Sequence, residues 1–159
     1  MRILGIDPGL RTTGYGVVEP GVGRVTVCEA GVVRSEEKSP LATRLNEIHE
    51  GVLSVVDQFA PEAMVVEQLY SHYAHPRTAI LMGHARGAIF LAAARREVPV
   101  VSYSATRIKK TITGHGRASK EQVQRTIQQE LGLPTLPEPA DVADALAVAL
   151  CHYFLTRRA

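Results

Sequence analysis

The chain has 159 residues, 45% of them hydrophobic and 21% charged, with a net charge of +2, the balance of an ordinary globular domain with enough apolar surface to bury a core. No apolar run approaches the roughly 20 residues of a membrane span, the first residues enter a strand without a secretory pattern, and Cys28 and Cys151 lie in unrelated segments with no Cys or His partner. A membrane protein, a disulfide scaffold and a zinc module are therefore not expected; the expectation is one cytoplasmic domain over residues 1–159.

Ile3-Leu4-Gly5-Ile6 reads as a buried strand closed by Asp7, and Asp7-Pro8-Gly9 is turn chemistry, with Pro fixing φ and Gly tolerating positive φ. Thr13 to Val18 resumes an apolar strand, Gly21-Val22-Gly23 turns again, and Arg24 to Val33 offers a third strand, so the chain opens as an antiparallel meander. From Pro40, the residues Leu41, Leu45, Ile48, Val52, Val55 and Phe59 recur at spacings of three and four, which predicts an amphipathic helix ending before Pro61. Ala63-Met64-Val65-Val66 is a fourth strand, closed by Glu67.

A polar tract with Tyr70, His72, Tyr73 and His75 leads into a long helix expected from Arg77 to Glu97. Its many Ala and Gly residues permit close approach, either to the sheet or to a second copy of the chain. Pro99 to Ser102 reads as a short fifth strand and Thr106 to Thr111 as a short helix carrying Arg107, Lys109 and Lys110. Gly114-His115-Gly116-Arg117 has the composition of a mobile loop, and Ser119 with Gln122 fits a capping box for a helix ending near Gly132. After the proline-rich stretch from Pro134 to Pro139, Asp141 and Asp144 open a last apolar helix.

A meander followed by alternating helices and strands implies an α/β fold, a mixed five-stranded sheet with helices on both faces in which strands one, four and five can lie parallel. Asp7 and Glu67 then emerge at one edge, where α/β proteins usually keep their chemistry. Asp141 and Asp144, three residues apart on one helical face, reach that edge if the last helix packs across the sheet. Each acid has a plainer role open to it: Asp7 as a turn residue, Asp141 as a complement to the helix dipole. Glu67 after four strand residues, and Asp144 among Val142, Ala143, Ala145 and Leu146, are harder to explain that way.

Four convergent carboxylates suit hard divalent cations and could hold two of them, whereas without cations they would repel one another. The charge distribution fits the same chemistry. From Arg77 to Arg125 ten Lys or Arg face only Glu97 and Glu121, a balance of +8 in a chain whose total is +2. A basic half beside an acid cluster is what a phosphodiester enzyme requires. His72 and His75 are spaced as a metal pair could be, yet lack cysteine partners and sit in a tract better suited to contacts with DNA.

Gly5-Ile6-Asp7-Pro8-Gly9, Thr13-Gly14-Tyr15-Gly16, Glu67-Gln68, Ala85-Arg86-Gly87, Lys120 with Gln122-Val123, and Asp141-Val142-Ala143-Asp144-Ala145-Leu146-Ala147 occur in order, and with them the chain resembles the bacterial RuvC Holliday-junction resolvases over nearly its whole length. The resemblance implies a ribonuclease H-like fold and a homodimer that nicks opposing strands of a four-way DNA junction in recombination and repair. It also implies a partnership with the RuvA-RuvB branch-migration complex. Asp7, Glu67, Asp141 and Asp144 take the places of the family's four catalytic acids, holding two Mg²⁺ or Mn²⁺ ions with Asp7 bridging them. Some relatives carry His where this chain has Asp141, so the site here is the fully carboxylate version.

Tyr70 stands where the family has an aromatic that stacks at the opened junction, and a Tyr preserves that π surface. Lys109 and Lys120 match lysines that contact DNA near the cut, with Lys120 the candidate for electrostatic help at the scissile phosphate. Arg77, Arg107, Lys110 and Arg117 are added to the DNA-binding surface from charge alone. The family precedent implies nicks with 5′-phosphate and 3′-hydroxyl ends.

Two other classes compete. An actin-like or sugar-kinase ATPase shares the opening strand and turn, but such enzymes have two ribonuclease H-like lobes and this chain has the length of one. A junction-binding module without catalysis would need only the basic region; it leaves the four acids, which repel DNA unless neutralised, unexplained.

Overall fold

Residues 1–69 and 75–157 are described by the computed structural model. They form, in chain order, strands β1 (Ile3–Asp7), β2 (Thr12–Pro20) and β3 (Val25–Arg34), helix α1 (Leu41–Phe59), strand β4 (Ala63–Glu67), helix α2 (Pro76–Ala94), strand β5 (Val100–Tyr103), and helices α3 (Ala105–Thr113), α4 (Lys120–Leu131) and α5 (Ala140–Arg157). The strands make one sheet in the order β3-β2-β1-β4-β5. β1 and β2, and β2 and β3, pair antiparallel, while β1 with β4 and β4 with β5 pair parallel, as the meander and crossovers require.

Both faces of the sheet are covered, which explains why β1 and β4 read as continuous apolar runs rather than alternating ones. On one face Leu4, Ile6, Val17, Met64 and Val66 pack against Ile48, Val52 and Val56 of α1 and Ala85, Ile89 and Ala92 of α2. On the other, Ile3, Val18 and Val65 pack against Ile108 and Ile112 of α3, Ile127 of α4, and Val142, Leu146 and Leu150 of α5. α5 is therefore the central helix of its face, buried along most of its length and polar mainly where its two acids sit.

α5 reaches the sheet because the sheet has no side chains in its path. A Cβ on Gly5 would overlap the main-chain oxygen of Ala145 and approach Ala149, and a Cβ on Gly14 would overlap the main-chain carbonyl of Asp141. Gly14 is also the register partner of Asp7 across the β1–β2 ladder. The same two glycine-bearing strands that seat the helix thus set Asp141 beside Asp7.

Element ends differ from expectation at a few points, each with a local cause. α2 starts at Pro76, a favoured first helical residue, and stops at Ala94; Glu97 then takes a left-handed φ of 57° that closes the turn into β5. Gly114-His115-Gly116-Arg117, expected to be mobile, is a hydrogen-bonded turn: Gly114 caps α3 at φ 85°, the His115 N–H donates to Thr113 Oγ1, and the Ala118 N–H donates to the His115 carbonyl. The Ser119–Gln122 capping box is present with both reciprocal bonds. No helix among the described residues is long and apolar enough to cross a membrane.

Candidate active site

Asp7 ends β1 and Glu67 ends the neighbouring parallel strand β4, so both carboxylates leave the sheet on one edge. Asp141 and Asp144 occupy the first turns of α5, which crosses the sheet at that edge. The electrostatics tie the other three to Asp7. Asp7 is pushed from an ordinary 3.8 up to about 8, first by burial, then by the charge of Asp144, a side-chain hydrogen bond and charge from Asp141, and the charge of Glu67. Every other acid of the predicted set acts on this one carboxyl.

Asp144 and Glu67 are raised as well. Asp144 is raised by burial and by Asp141, against the opposing pull of Lys120, whose Nζ lies 3.5 Å from Asp144 Oδ2. Glu67 stands at the open rim but is raised by partial loss of solvent and by Asp144, while Lys109 and Arg86 pull it down. Removing a cluster of like charges from water disfavours ionisation unless a cation replaces the lost solvent.

The donor set is suited to such a cation, since carboxylate oxygens are what hard divalent ions prefer. Among the described residues, no three His, Cys, Asp or Glu side chains are gathered tightly enough to hold a metal ion by themselves. The four acids therefore make a field that favours a cation rather than a finished cage. Magnesium characteristically accepts such an arrangement, keeping waters and substrate phosphate oxygens in its shell.

Beside the acids lies a hollow of about 230 Å³ whose wall includes Glu67, Asp144, Lys109 and Lys120. Lys120 is the first residue of α4, where a cation opposes the helix dipole at a cost of about 0.3–1 kcal/mol. The capping box nevertheless starts the helix there, and Asp144 offsets the mismatch. The arrangement thus presents two lysines and two carboxylates to one recess.

The other predicted DNA-binding residues do not gather at the acids. Arg107 and Lys110 point from the opposite side of α3 into a separate cleft, Arg117 is exposed in the turn before α4, and Arg77 is exposed on the first turn of α2. Tyr70 and His72 lie outside the described residues.

Arg86 is a site residue that charge counting did not single out. Its Nη1 donates a 2.6 Å hydrogen bond to the Glu67 main-chain oxygen, its guanidinium lies 5.1 Å from the centre of the Phe90 ring, and it lines a small pocket with Asp7, Glu67 and Gln68. The available signal was its isolation, as the one charged residue of α2 between Arg77 and the end of the helix.

A profile of the family described as Crossover junction endodeoxyribonuclease RuvC matches residues 3–152. Proteins of that name from Rhodopirellula baltica and Desulforamulus reducens are 54% and 43% identical, each aligned over 96% of this chain and over 86% and 93% of their own lengths. The structure described as Thermus thermophilus RuvC in complex with Holliday junction substrate superimposes with a TM-score of 0.94 at 38% identity, covering 99% of this chain and 96% of that one. The yeast mitochondrial Holliday junction resolvase Ydc2 shares the fold at a TM-score of 0.71 and 14% identity, over 98% of this chain and 79% of its own.

Proposed function

The chain belongs to the RuvC family of crossover junction endodeoxyribonucleases, and from that premise we propose that Asp7, Glu67, Asp141 and Asp144 are its catalytic acids, with Lys120 and Lys109 holding the DNA phosphate beside them. It is a Holliday-junction endonuclease of the ribonuclease H-like fold, acting in recombination and DNA repair. Membership of the family implies dependence on a divalent metal. The finer assignment is two Mg²⁺ or Mn²⁺ ions per site. The observation that carries it is the pull of three other acids on half-buried Asp7 next to a lysine-walled recess.

Held by these carboxylates, such ions would supply an activated water and charge stabilisation for the leaving oxygen. The protein's own part is to hold the acids and the phosphate. Burial keeps Asp7 from resting as a solvated anion, so its charge is available to a cation entering with the substrate. Lys120, anchored 3.5 Å from Asp144, sets positive charge where negative charge gathers on the phosphate under attack. Lys109 lies in the same wall and steadies the strand. The expected products are ligatable nicks with 5′-phosphate and 3′-hydroxyl ends.

The working unit proposed is a homodimer, because a two-fold junction needs two equal sites related by the same rotation. α2 supports this. Its Ala85, Ala92 and Ala93 are buried against the rest of the chain, whereas Ile80 (62% exposed), Gly83, Gly87 and Leu91 (55% exposed) fall at spacings of three and four on its outer face. A Cβ at Gly83 or Gly87 would meet open space, so a second backbone can come close there. Residues 1–159 would act as one nuclease domain in the cytoplasm beside the RuvA-RuvB branch-migration complex, with Tyr70 stacking at the opened junction and Arg77 and Arg117 meeting its arms.

The test is a labelled synthetic four-way junction and a linear duplex of matched sequence, each incubated with Mg²⁺ or Mn²⁺ and mapped at nucleotide resolution. Paired cuts in the junction alone, lost in Asp7→Asn, are expected. Nearly unchanged cutting by Asp7→Asn would refute the assignment.

A further inference from the structure

α3 separates two recesses of different character. Its Ala105, Ile108 and Lys109 side faces the acids, while Ser104, Thr106, Arg107, Lys110, Thr111 and Gly114 face a cleft of about 780 Å³ closed on its far side by Leu155 of α5. This second cleft contains no acidic lining residue. Arg107 and Lys110 form no ion pair among the described residues, although both are charged and exposed.

The arginine is nonetheless braced. Its guanidinium lies 5.8 Å from the centre of the Tyr103 ring, and Tyr103 Oη is fixed by a 2.8 Å hydrogen bond to His152 Nδ1. Burial lowers the pKa of His152, which favours the neutral ring that can share this bond. Ser104 accepts from the Arg107 N–H as the cap of α3, fixing the turn from which Arg107 projects. Two cations, one held against an aromatic ring, and the hydroxyl residue Thr106 make a recess suited to an oxyanion.

Resting on the junction-nuclease reading, we propose that this cleft is a second phosphate anchor, which grips the backbone of a junction arm away from the cut and contributes affinity rather than rate. Leu155 follows Asp144 by eleven residues of α5, roughly 16 Å along the helix axis. At about 3.4 Å per nucleotide along one strand, that distance corresponds to roughly five nucleotides of duplex. On that spacing the anchor would take a different phosphate from the cutting site, across α3.

The test is the salt dependence of binding for the full chain carrying Arg107→Gln and Lys110→Gln together, measured with an uncleaved junction in Ca²⁺ or without metal, and compared with cutting at saturating junction in Mg²⁺. Each phosphate contact contributes a slope of about 0.9 in log K against log salt, so the double variant should lose nearly two from the slope. The wild type's advantage should then shrink roughly tenfold between 50 and 200 mM salt. Arg107→Lys, which keeps the charge, should restore much of the slope.

An unchanged slope, or a fall in cutting rate at saturation with binding intact, would overturn the anchor while leaving the nuclease assignment standing. Wild-type protein that failed to cut junctions would instead refute the reading on which the anchor rests. A melting temperature equal to wild type's shows that the exposed substitutions leave the fold intact; if the double variant melts early, Lys110→Gln alone should still remove about one from the slope.

Discussion

Arg86 Nη1 and the main-chain oxygen of Glu67 are 2.6 Å apart, so a guanidinium on α2 holds the point where β4 ends and the rim of the site begins. The arginine does not need to touch substrate for this to matter, because it fixes the direction in which Glu67 leaves the sheet and, with Lys109, partly opposes the rise in that carboxyl's pKa. Arg86→Ala should cost about 1 kcal/mol of stability and reduce junction cutting by ten- to a hundredfold at saturating DNA, with junction affinity changed far less. Arg86→Lys should recover part of the rate, since it keeps the charge but not the planar fork. Equal losses of cutting and of binding would mean that Arg86 acts as a DNA contact instead.

The metal-free protein should become less stable as pH rises. Asp7 titrates near 3.8 when unfolded and at about 8 when folded, so across that window the folded state holds more proton than the unfolded state. This contribution is therefore full below about pH 4 and is lost progressively up to about pH 8. Asp144 and Glu67, also raised, add in the same direction. Thermal melts in chelator should show this decline, Asp7→Asn should remove much of it, and saturating Mg²⁺ should replace the proton and flatten it. A wild-type melting curve that rises from pH 5 to pH 8 in chelator would contradict the mutual repulsion of these acids.

Lys120 has two effects that can be separated. It pulls the Asp144 carboxyl down, and it faces the phosphate recess. Lys120→Ala should slow cutting by a hundred- to a thousandfold, the range for losing one preorganised electrostatic partner. The pH–rate profile should also move toward higher pH, because Asp144 then ionises later. Lys120→Arg should restore the profile's position more fully than the rate. A uniform loss of rate without displacement would show that the 3.5 Å pairing with Asp144 is incidental.

Much of this was legible in the chain because buried parallel strands leave a plain signature. Ala63-Met64-Val65-Val66 followed by Glu67 can only be a covered strand with a charged end, and the observed strand has those bounds. Ser119 and Gln122 likewise announced a helix start through chemistry that is local in sequence. What escaped the sequence depends on three-dimensional sidedness. Arg107, Lys109 and Lys110 look alike as a basic cluster, yet α3 turns Lys109 toward the acids and the other two away. Arg86 stood in the Ala85-Arg86-Gly87 motif, but its role did not show, because its partner is a main-chain oxygen, which no residue type advertises.

Dimerisation through α2 makes a prediction that needs no DNA. Ile80→Glu with Leu91→Glu would place like charges on a face meant to meet its own copy, while both positions are exposed in the single chain. Analytical ultracentrifugation should show a dimer for wild type and a monomer for the double variant, with the far-UV spectrum of the fold retained. Cutting by the monomer should lose its pairing, giving single nicks in place of symmetric ones. A variant that remains dimeric would place the interface elsewhere.

Gly14 offers the sharpest link between packing and chemistry. It pairs with Asp7 across the β1–β2 ladder, and a Cβ added there would overlap the main-chain carbonyl of Asp141. Neither obstacle is a flexible side chain, so the strain can be relieved only by moving the first turn of α5 away from the sheet. Gly14→Ala should cost about 1–3 kcal/mol, as overpacking in a close-packed interior does. The functional loss should be larger than that stability loss implies. At a temperature where the variant is fully folded, the displaced Asp141 no longer supports Asp7, and cutting in Mg²⁺ should fall at least a hundredfold while junction binding without metal stays near wild type. If Gly14→Ala loses only stability and keeps its cutting rate, the acids tolerate more displacement than the tight seating of α5 implies.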